Sequence, residues 1–518
     1  MKGIIINQDT DGQLRSYNEK PFTEQELRDF FLQFKDTHIT DYFLCVYSQT
    51  AIYPSKVCES MLDKYNFFLE KDGKVDDVHL NAMNHIFNDL KIDHIAVSID
   101  ALREAGINPW ISYRMNDVHY LAEHFFYKNE SHMLDKFYKK HPELQRVKFH
   151  PEFVHTNADF SLDFTYDLVR ERMLAIIDES IERYDPYGIE LDFQREMDLF
   201  GIGYEYEGID IMNQFFREVD AITKKYEAKF GHEIKVAVHV CPDVQTNIDF
   251  GLDIMQWVAE GIVDLVIPGC RYESNDNDMP IRLWSTLLKP YGVKLAAGIE
   301  TNLIPAGGHH AVTPNIETYA ACAHSAYDQG ADKIYFYNYF RHNLYERFDK
   351  NAPYIEDPDR LAWEHDQYWT VLNTFGEPEK VAEFNRRHTT STKDKMPLWK
   401  RNTNIAGENR GINQLPLTVT RDAGLKFHVG KIPPEAEVIF RFAVENDEES
   451  LENLPRVFIN SEACEFIGAD MDERWHRGTK LFSYKVPSSA FKSIICPYII
   501  IKQKTTFTYA DVFVKVHN

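Results

Sequence analysis

What this chain has little of narrows its class first. Its seven cysteines (45, 58, 241, 270, 322, 464 and 496) are scattered through 518 residues and never spaced as CxxC. Neither a disulfide frame nor a zinc knuckle is expected, and the thiols read as reduced. Cations are in deficit: 57 Lys and Arg face 81 Asp and Glu, for a formal net charge of -24. Binding a phosphate backbone needs clustered Lys and Arg to displace counterions, so no nucleic-acid partner is expected, and anionic membranes are disfavoured on the same ground. Long apolar runs are missing as well. The start, Met1-Lys2-Gly3-Ile4-Ile5-Ile6-Asn7, turns polar after three large apolar residues, which predicts neither a leader nor a membrane span and suggests a cytoplasmic protein. No internal repeat or low-complexity tract occurs.

What is present is an alternation of short β-rich runs with longer stretches of helical period, the pattern of repeated βα units. Eight strands are predicted: Gly3 to Asn7, Tyr42 to Tyr47, Ile107 to Tyr113, Gly188 to Phe193, Ile234 to Val240, Val263 to Pro268, Lys294 to Glu300 and Lys333 to Tyr339. Between them, Leu168 to Tyr184 carries Leu168, Met173, Ile176, Ile177 and Ile181 on one stripe, and Glu317 to Gln329 is rich in alanine. Eight units over roughly 350 residues predict an α/β fold, a (β/α)8 TIM barrel, at residues 1–383. Residues 384–413, with Arg386-Arg387-His388 and no apolar period, read as a connector wrapped on a surface. Strand-rich residues 414–518 predict an additional C-terminal β-sandwich domain.

In such a barrel the chemistry sits where the strands end. Read at period two, Gly188-Ile189-Glu190-Leu191-Asp192-Phe193 puts Glu190 and Asp192 on one face and Ile189, Leu191 and Phe193 on the other. Burying both carboxylates unpaired would cost several kcal/mol, so the pair points to chemistry. The third strand runs into Arg114, Asn116, Asp117 and His119, the fourth into Arg195, the fifth ends with His239 and the sixth meets Arg271 and Tyr272; Asp276 and Asp278 follow, then Glu300 and Asn338. Hydrolysis of a glycosidic bond needs one protonated carboxyl and one ionised one, roughly 5 to 9 Å apart. Because Glu190 and Asp192 point the same way along one strand, with Cβ atoms ~6.5 to 7 Å apart, they are read as nucleophile and neighbour, with the acid on another strand.

Asp192 is therefore the candidate nucleophile or ionised base, Glu300 or Asp278 the acid, and Glu190 a neighbour that raises one proton affinity by like-charge coupling. Trp110, Arg114, Asn116, Asp117, His119, Arg195, His239, Arg271, Tyr272 and Asn338 are candidate substrate contacts, and Tyr113 and Tyr339 are further aromatic faces for a sugar. Each has a structural alternative. Glu190 and Asp192 could pair with Arg114 or Arg195, Glu300 could anchor a loop, and Asp276 and Asp278 could form turns. The adjacent pair His309-His310 lacks a third ligand at any known spacing, so no metal and no cofactor is expected. The expected partner is a small saccharide; a homo-oligomer is compatible with the sequence.

Several segments taken together resemble a known group. They are Pro109 to His119 (PWISYRMNDVH), His141-Pro142-Glu143, Leu162-Asp163-Phe164, Tyr184-Asp185 with Gly188 to Phe193, Val263 to Pro268, Asp278-Met279-Pro280-Ile281 and Gly330 to Tyr335. Over residues 1–380 this order resembles the bacterial family ten glycosylhydrolase-like barrels. The resemblance implies a (β/α)8 fold and a carbohydrate substrate, places Arg195 at the group's arginine after the fourth strand, and raises Asp278 above Asp276. A chitinase-type DxDxE signature fails at Gln194. The expected function is hydrolysis of a small oligosaccharide or glycoside in the cell. The alternatives are a metal-dependent or lyase-type barrel, which a chelator would inhibit, and a non-catalytic sugar binder indifferent to loss of Asp192.

Overall fold

The computed structural model describes residues 3–10, 23–127, 129–147, 157–270, 274–276, 278–301, 303, 305–306, 315–339, 365–391, 415–472 and 475–516. Eight strands pair in chain order into a closed barrel: β1 (Ile4–Asp9), β2 (Ile39–Tyr47), β3 (Asn108–Arg114), β4 (Gly188–Asp192), β5 (Lys235–Val240), β6 (Leu265–Pro268), β7 (Lys294–Glu300) and β8 (Lys333–Tyr337). The protein is a TIM barrel with C-terminal antiparallel sheets. The chain divides into two compact units, one of Ile5–Ile267 and Leu287–Lys294, the other of Met1–Ile4, Pro268–Thr286 and Leu295–Asn518. Among the described residues no helix is long and apolar enough to cross a membrane.

In the first unit, β4 shows why the sequence folds this way. Ile189 and Leu191 are fully buried, and the helix Asp167–Tyr184 that precedes the strand buries Val169, Met173, Ile176, Ile177 and Ile181. Leu168, expected on that stripe, is 44% exposed; the buried face begins one residue later, at Val169. The helix stops at Asp185, which turns left-handed at φ 46° and donates its N–H to Ile181 O.

The inner face of β3 and β4 is filled at its amino end by Trp110. Its ring stacks on Phe43 at 4.7 Å and its Nε1–H donates to Asp41 Oδ1 at 2.9 Å. The indole fits because its neighbour on β4 is Gly188: a Cβ there would lie 2.7 Å from Lys235 O and closer still to the Trp110 ring. Gly188→Ala is expected to destabilise the protein by roughly 1–3 kcal/mol through overpacking. Denaturant unfolding measures it, and an unchanged midpoint would show that the indole has room to move.

In the second unit, helix Ile316–Gln329 opens with an Asn315/Thr318 capping box and closes on Gly330 at φ 105°. Among the described residues twelve strands follow β8: β9 (Arg386–Thr389), β10 (Leu417–Val419), β11 (Asp422–Gly424), β12 (Phe427–His428), β13 (Glu437–Val444), β14 (Arg456–Ile459), β15 (Glu462–Ala463), β16 (Glu465–Asp472), β17 (His476–Lys485), β18 (Ile494–Ile495), β19 (Pro497–Ile500) and β20 (Thr505–Lys515). One sheet runs β10-β20-β13-β17-β16 with β9 also on β20, a second runs β11-β19-β14-β15, and β12 pairs with β18. Both larger sheets feed one apolar core, Val438, Phe440, Phe442 and Val512 from the first and Val457, Ile459 and Ile499 from the second, as in a sandwich.

The connector expectation needs correction. Arg386 and His388 to Ser391 are buried and Arg387 is half-buried, and β9 pairs with β20 from Arg386↔Val514 to Thr389↔Asp511. The stretch has no apolar period although it lies inside, and only part of its polar surface is paired: both ring nitrogens of His388 and Nε of Arg386 are buried with no hydrogen-bond partner among the described residues. Arg386 Nη1 donates to Ala382 O at 3.0 Å and Nη2 to Lys431 O at 3.2 Å, and burial pushes this guanidinium down to about 10. Residues 392–414 lie outside the described residues. We propose keeping the sequence boundaries at 383/384 and 413/414, with β9 counted among the C-terminal strands.

Candidate active site

Register decides which side chains stand level at the carboxyl ends of the strands. Arg114 of β3 is paired with Asp192 of β4, and Asp192 with His239 of β5. One step down, Ser112, Glu190 and Ala237 are level, and below them stand Trp110 and Gly188.

Asp192 is 1% exposed. Its Oδ1 accepts from His239 Nδ1 at 2.9 Å and from the Gln194 backbone N–H at 3.0 Å. An ionised carboxylate only accepts, so the His239 proton facing it is assigned to Nδ1. Asp192 Oδ2 is equally buried and has no hydrogen-bond partner among the described residues. Burial alone would raise the acid, but the His239 ring, the Arg114 charge and the Gln194 N–H outweigh it and hold the group below the usual aspartate range. Asp192 is thus ionised at neutral pH, with one oxygen fixed and the other unengaged.

Glu190 is fully buried, and Asn7 Nδ2 of β1 donates to its Oε2 at 2.8 Å and lies 3.3 Å from Ser112 Oγ. The leading influences on Asp192 come from burial, His239 and Arg114, and like-charge coupling with Glu190 stays a proposal.

Arg114 donates to Asp9 of β1 and, through Nη1 at 3.2 Å, to Asp117 Oδ2. Asp117 is the hub of the loop after β3. His119 Nδ1 lies 2.7 and 2.9 Å from its two oxygens, the His119 backbone N–H 2.9 Å from Oδ1, and Gln49 Nε2 3.3 Å from Oδ1. Burial raises the Asp117 acid, yet His119 and then Arg114 and Arg195 bring it well below the usual range. Arg195 Nη2 meets His119 Nε2 at 2.6 Å. A guanidinium cannot accept, so Nε2 is bare, Nδ1 carries the proton toward Asp117, and the imidazole is neutral in this arrangement. A continuous chain from Arg195 through His119 and Asp117 to Arg114 and Asp9 results.

Three expected substrate contacts are placed elsewhere. Trp110 lies two register steps below Asp192 and plugs the amino end, because strand alternation fixes the face of a residue and not its height. Asn116 pins backbone instead: its Nδ2 donates to Leu162 O at 2.8 Å and Asp198 O at 3.1 Å, and its Oδ1 accepts from the Leu162 N–H at 2.9 Å. Tyr113 faces the helix layer, its hydroxyl 2.5 Å from Ser180 Oγ.

In the other unit, Glu300 is buried and its backbone is clamped by Asn275, which accepts from the Glu300 N–H at 3.1 Å and donates to its O at 3.3 Å. Asp278 Oδ2 is 2.8 Å from Lys426 Nζ. Asn338 sits at φ 50° with its carbonyl accepting from Thr301 Oγ1 at 2.7 Å, and Tyr339 stacks on Tyr368 at 4.9 Å. Arg271, Tyr272 and the His309-His310 pair lie outside the described residues.

Sequence reasoning missed Asn7 and Asp9, whose signal was a polar turn at the end of the Ile4-Ile5-Ile6 run. It also missed a buried cluster around Arg146, whose guanidinium lies 3.5 Å from Asp159, 3.3 Å from Asp198 and 3.7 Å from Glu205. Its Nε donates to Phe200 O at 2.7 Å. These contacts, with Ser161 Oγ on Asp198 O at 2.8 Å, hold the loop that follows Asp192.

No protein-family model matches the chain, so the family ten resemblance gains no support there, and no curated protein matches it. Among solved structures, the glycoside hydrolase domain of PgaB from Bordetella bronchiseptica is similar at 11% identity and TM-score 0.40, over 65% of this chain and 93% of that one. A maltogenic α-amylase, AmyB, from Thermotoga neapolitana is similar at 10% identity and TM-score 0.37, over 98% of each chain. A GH138 enzyme targeting pectin rhamnogalacturonan II is similar at 12% identity and TM-score 0.37, over 72% of this chain and only 38% of that one. Likeness this distant leaves the chemistry to be read from the side chains.

Proposed function

We propose that this protein is a glycoside hydrolase acting on a small oligosaccharide or glycoside, with Asp192 as its ionised carboxylate. The observation that carries the reading is Oδ2 of Asp192, a buried anionic oxygen at a barrel strand end with no hydrogen-bond partner among the described residues. Such an oxygen is costly to leave unsatisfied unless it serves a reacting group. His239 and the Gln194 N–H hold Oδ1, so Oδ2 is the atom that attacks an anomeric carbon or takes a proton from water. Arg114 and Arg195 supply donors, and the linked Asp117 an acceptor, of the kind that bind sugar hydroxyls. For the proton donor we favour Glu300 over Asp278, since one Asp278 oxygen, Oδ2, is already ion-paired with Lys426 at 2.8 Å.

A panel of aryl glycosides tests this. Glu300→Gln is expected to slow hydrolysis of substrates with poor leaving groups by roughly 10²–10⁴-fold, with recovery on a dinitrophenyl glycoside that needs no protonation. Asp278→Asn is expected to leave that ratio unchanged. If the two variants exchange behaviour, Asp278 is the acid; if no glycoside in the panel is turned over and none is bound, the reading is wrong.

A further inference from the structure

Away from the strand ends of the barrel, Asp77, His79 and His132 bring two imidazoles onto one carboxylate. One ligand atom from each, two ring nitrogens and a carboxylate oxygen, lie within 4.8 Å of one another. Asp77 Oδ1 is spent on the start of helix Val78–Asn84, accepting from the backbone N–H of His79 at 2.9 Å and of Leu80 at 3.1 Å. That orients the carboxylate and presents Oδ2 to His132 Nδ1 at 2.7 Å. The two imidazole rings are 4.6 Å apart at an angle of 42°. Asp77 is held well below the usual aspartate range: burial opposes this, and the hydrogen bonds of His132 and His79 outweigh it.

The cluster opens on a pocket of about 1080 Å³ lined also by Lys71, Tyr120, Glu130 and Ser131. Tyr120 is strained, at φ 60°, a conformation unusual for a bulky residue. Its ring lies 5.9 Å from that of His132 and 6.1 Å from that of His119.

We propose that Asp77, His79 and His132 form a binding site for a divalent transition-metal cation of the zinc class, with its remaining coordination position open to the pocket. Two imidazole nitrogens and one carboxylate oxygen are the borderline donor set that such ions select, and tetrahedral bonds of ~2.0–2.2 Å set ligand atoms ~3.3–3.6 Å apart, so His132 Nδ1 and Asp77 Oδ2 open from their 2.7 Å while the wider pairs close. The wider separation is that of His79, whose Nδ1 stands 3.6 Å from Asp77 Oδ1. The cation replaces the proton shared by His132 Nδ1 and Asp77 Oδ2. It joins the segment around His132 to the start of helix Val78–Asn84, which are 55 positions apart in the chain. The three fall outside every spacing rule for zinc ligands, so only the fold brings them together.

The test is calorimetric titration of the full chain, stripped with a chelator and dialysed, with zinc chloride in a non-coordinating buffer. The wild type is expected to bind one equivalent that both His132→Ala and His79→Gln weaken at least roughly tenfold, while His141→Ala, at a remote histidine paired with Glu143, leaves it unchanged. Should His132→Ala fail to fold, His79→Gln carries the comparison, and binding of cobalt(II) to the wild type, read by its visible absorption, reports the donor set. A wild type that takes up no zinc, or substitutions at His79 and His132 that leave affinity and stoichiometry intact, overturns the proposal.

Discussion

Asp192→Asn is expected to lower turnover of a hydrolysed glycoside by roughly 10⁴-fold or more, the scale on which loss of a central catalytic carboxylate falls, with little change in stability. The amide keeps the size of the side chain and can still accept from His239 Nδ1 and the Gln194 N–H through its oxygen, the two contacts that hold Oδ1 in place. What it loses is the charge on Oδ2, the one part of the group that the protein leaves unengaged. The fold therefore tolerates the change and the chemistry does not. Binding of a saccharide should persist in the variant, which separates a catalytic role from a positioning one. If Asp192→Asn turns over a confirmed substrate within tenfold of the wild type, Asp192 is not the reacting carboxylate.

The same electrostatics predict the acid side of the rate profile. Asp192 is held below the ordinary aspartate value, so its ionised form persists as pH falls through roughly 4. An acid limb observed well above that, in the range of 5 to 6, therefore reports another group.

Asp511→Ala is expected to be the most destabilising single substitution in the C-terminal strands, at roughly 3–5 kcal/mol. Asp511 is fully buried on β20 between two arginines. Arg441 of β13 reaches it through Nε at 2.9 Å and through Nη2, Arg387 of β9 through Nη1 at 3.1 Å, and the Tyr509 hydroxyl donates at 2.8 Å. Removing the carboxylate strands two guanidiniums, although Arg441 keeps Asp472 at 2.9 Å. Burial raises the Asp511 acid, but Arg441 and Arg387 outweigh it and the net shift is downward. A carboxylate depressed on folding contributes stability that is complete above its unfolded value of ~3.9 and is lost as pH falls through the lower folded value. Denaturant melts of the wild type and the variant should therefore converge toward strong acid. Curves that stay parallel from pH 7 to pH 2 would show that the charge contributes nothing.

The barrel was legible because burying one strand face against helices forces apolar alternation, and all eight strands left that trace within a few residues of their bounds. The edge strand β16 left none. Its residues Glu465 to Asp472 are largely exposed, with Gly468 at φ 150° and two register shifts against β17. At the strand ends, position in a barrel was enough to pick out Asp192, Arg114 and His239 as neighbours. It could not tell which polar residues hold backbone, as Asn116 does, because that depends on loops meeting from distant parts of the chain. For the same reason Asn7 beside Glu190, and His132 beside Asp77, were beyond reach of any spacing rule.

The pairing of β9 with β20 has a consequence for how the chain is made. Arg387 and its partner Asp511 are separated by 124 positions, so at roughly 5–20 residues per second a ribosome takes ~6–25 s to deliver the second after the first. Over that interval β9 has left the ribosome as a strand without its partner, the state in which chains pair wrongly with one another. Its own side chains are the safeguard: Arg386, Arg387 and His388, which lie on a paired strand in the finished protein, are charged or polar while they wait and make a poor template for a neighbour. The residues that hid this strand from a hydrophobicity reading also protect it during synthesis.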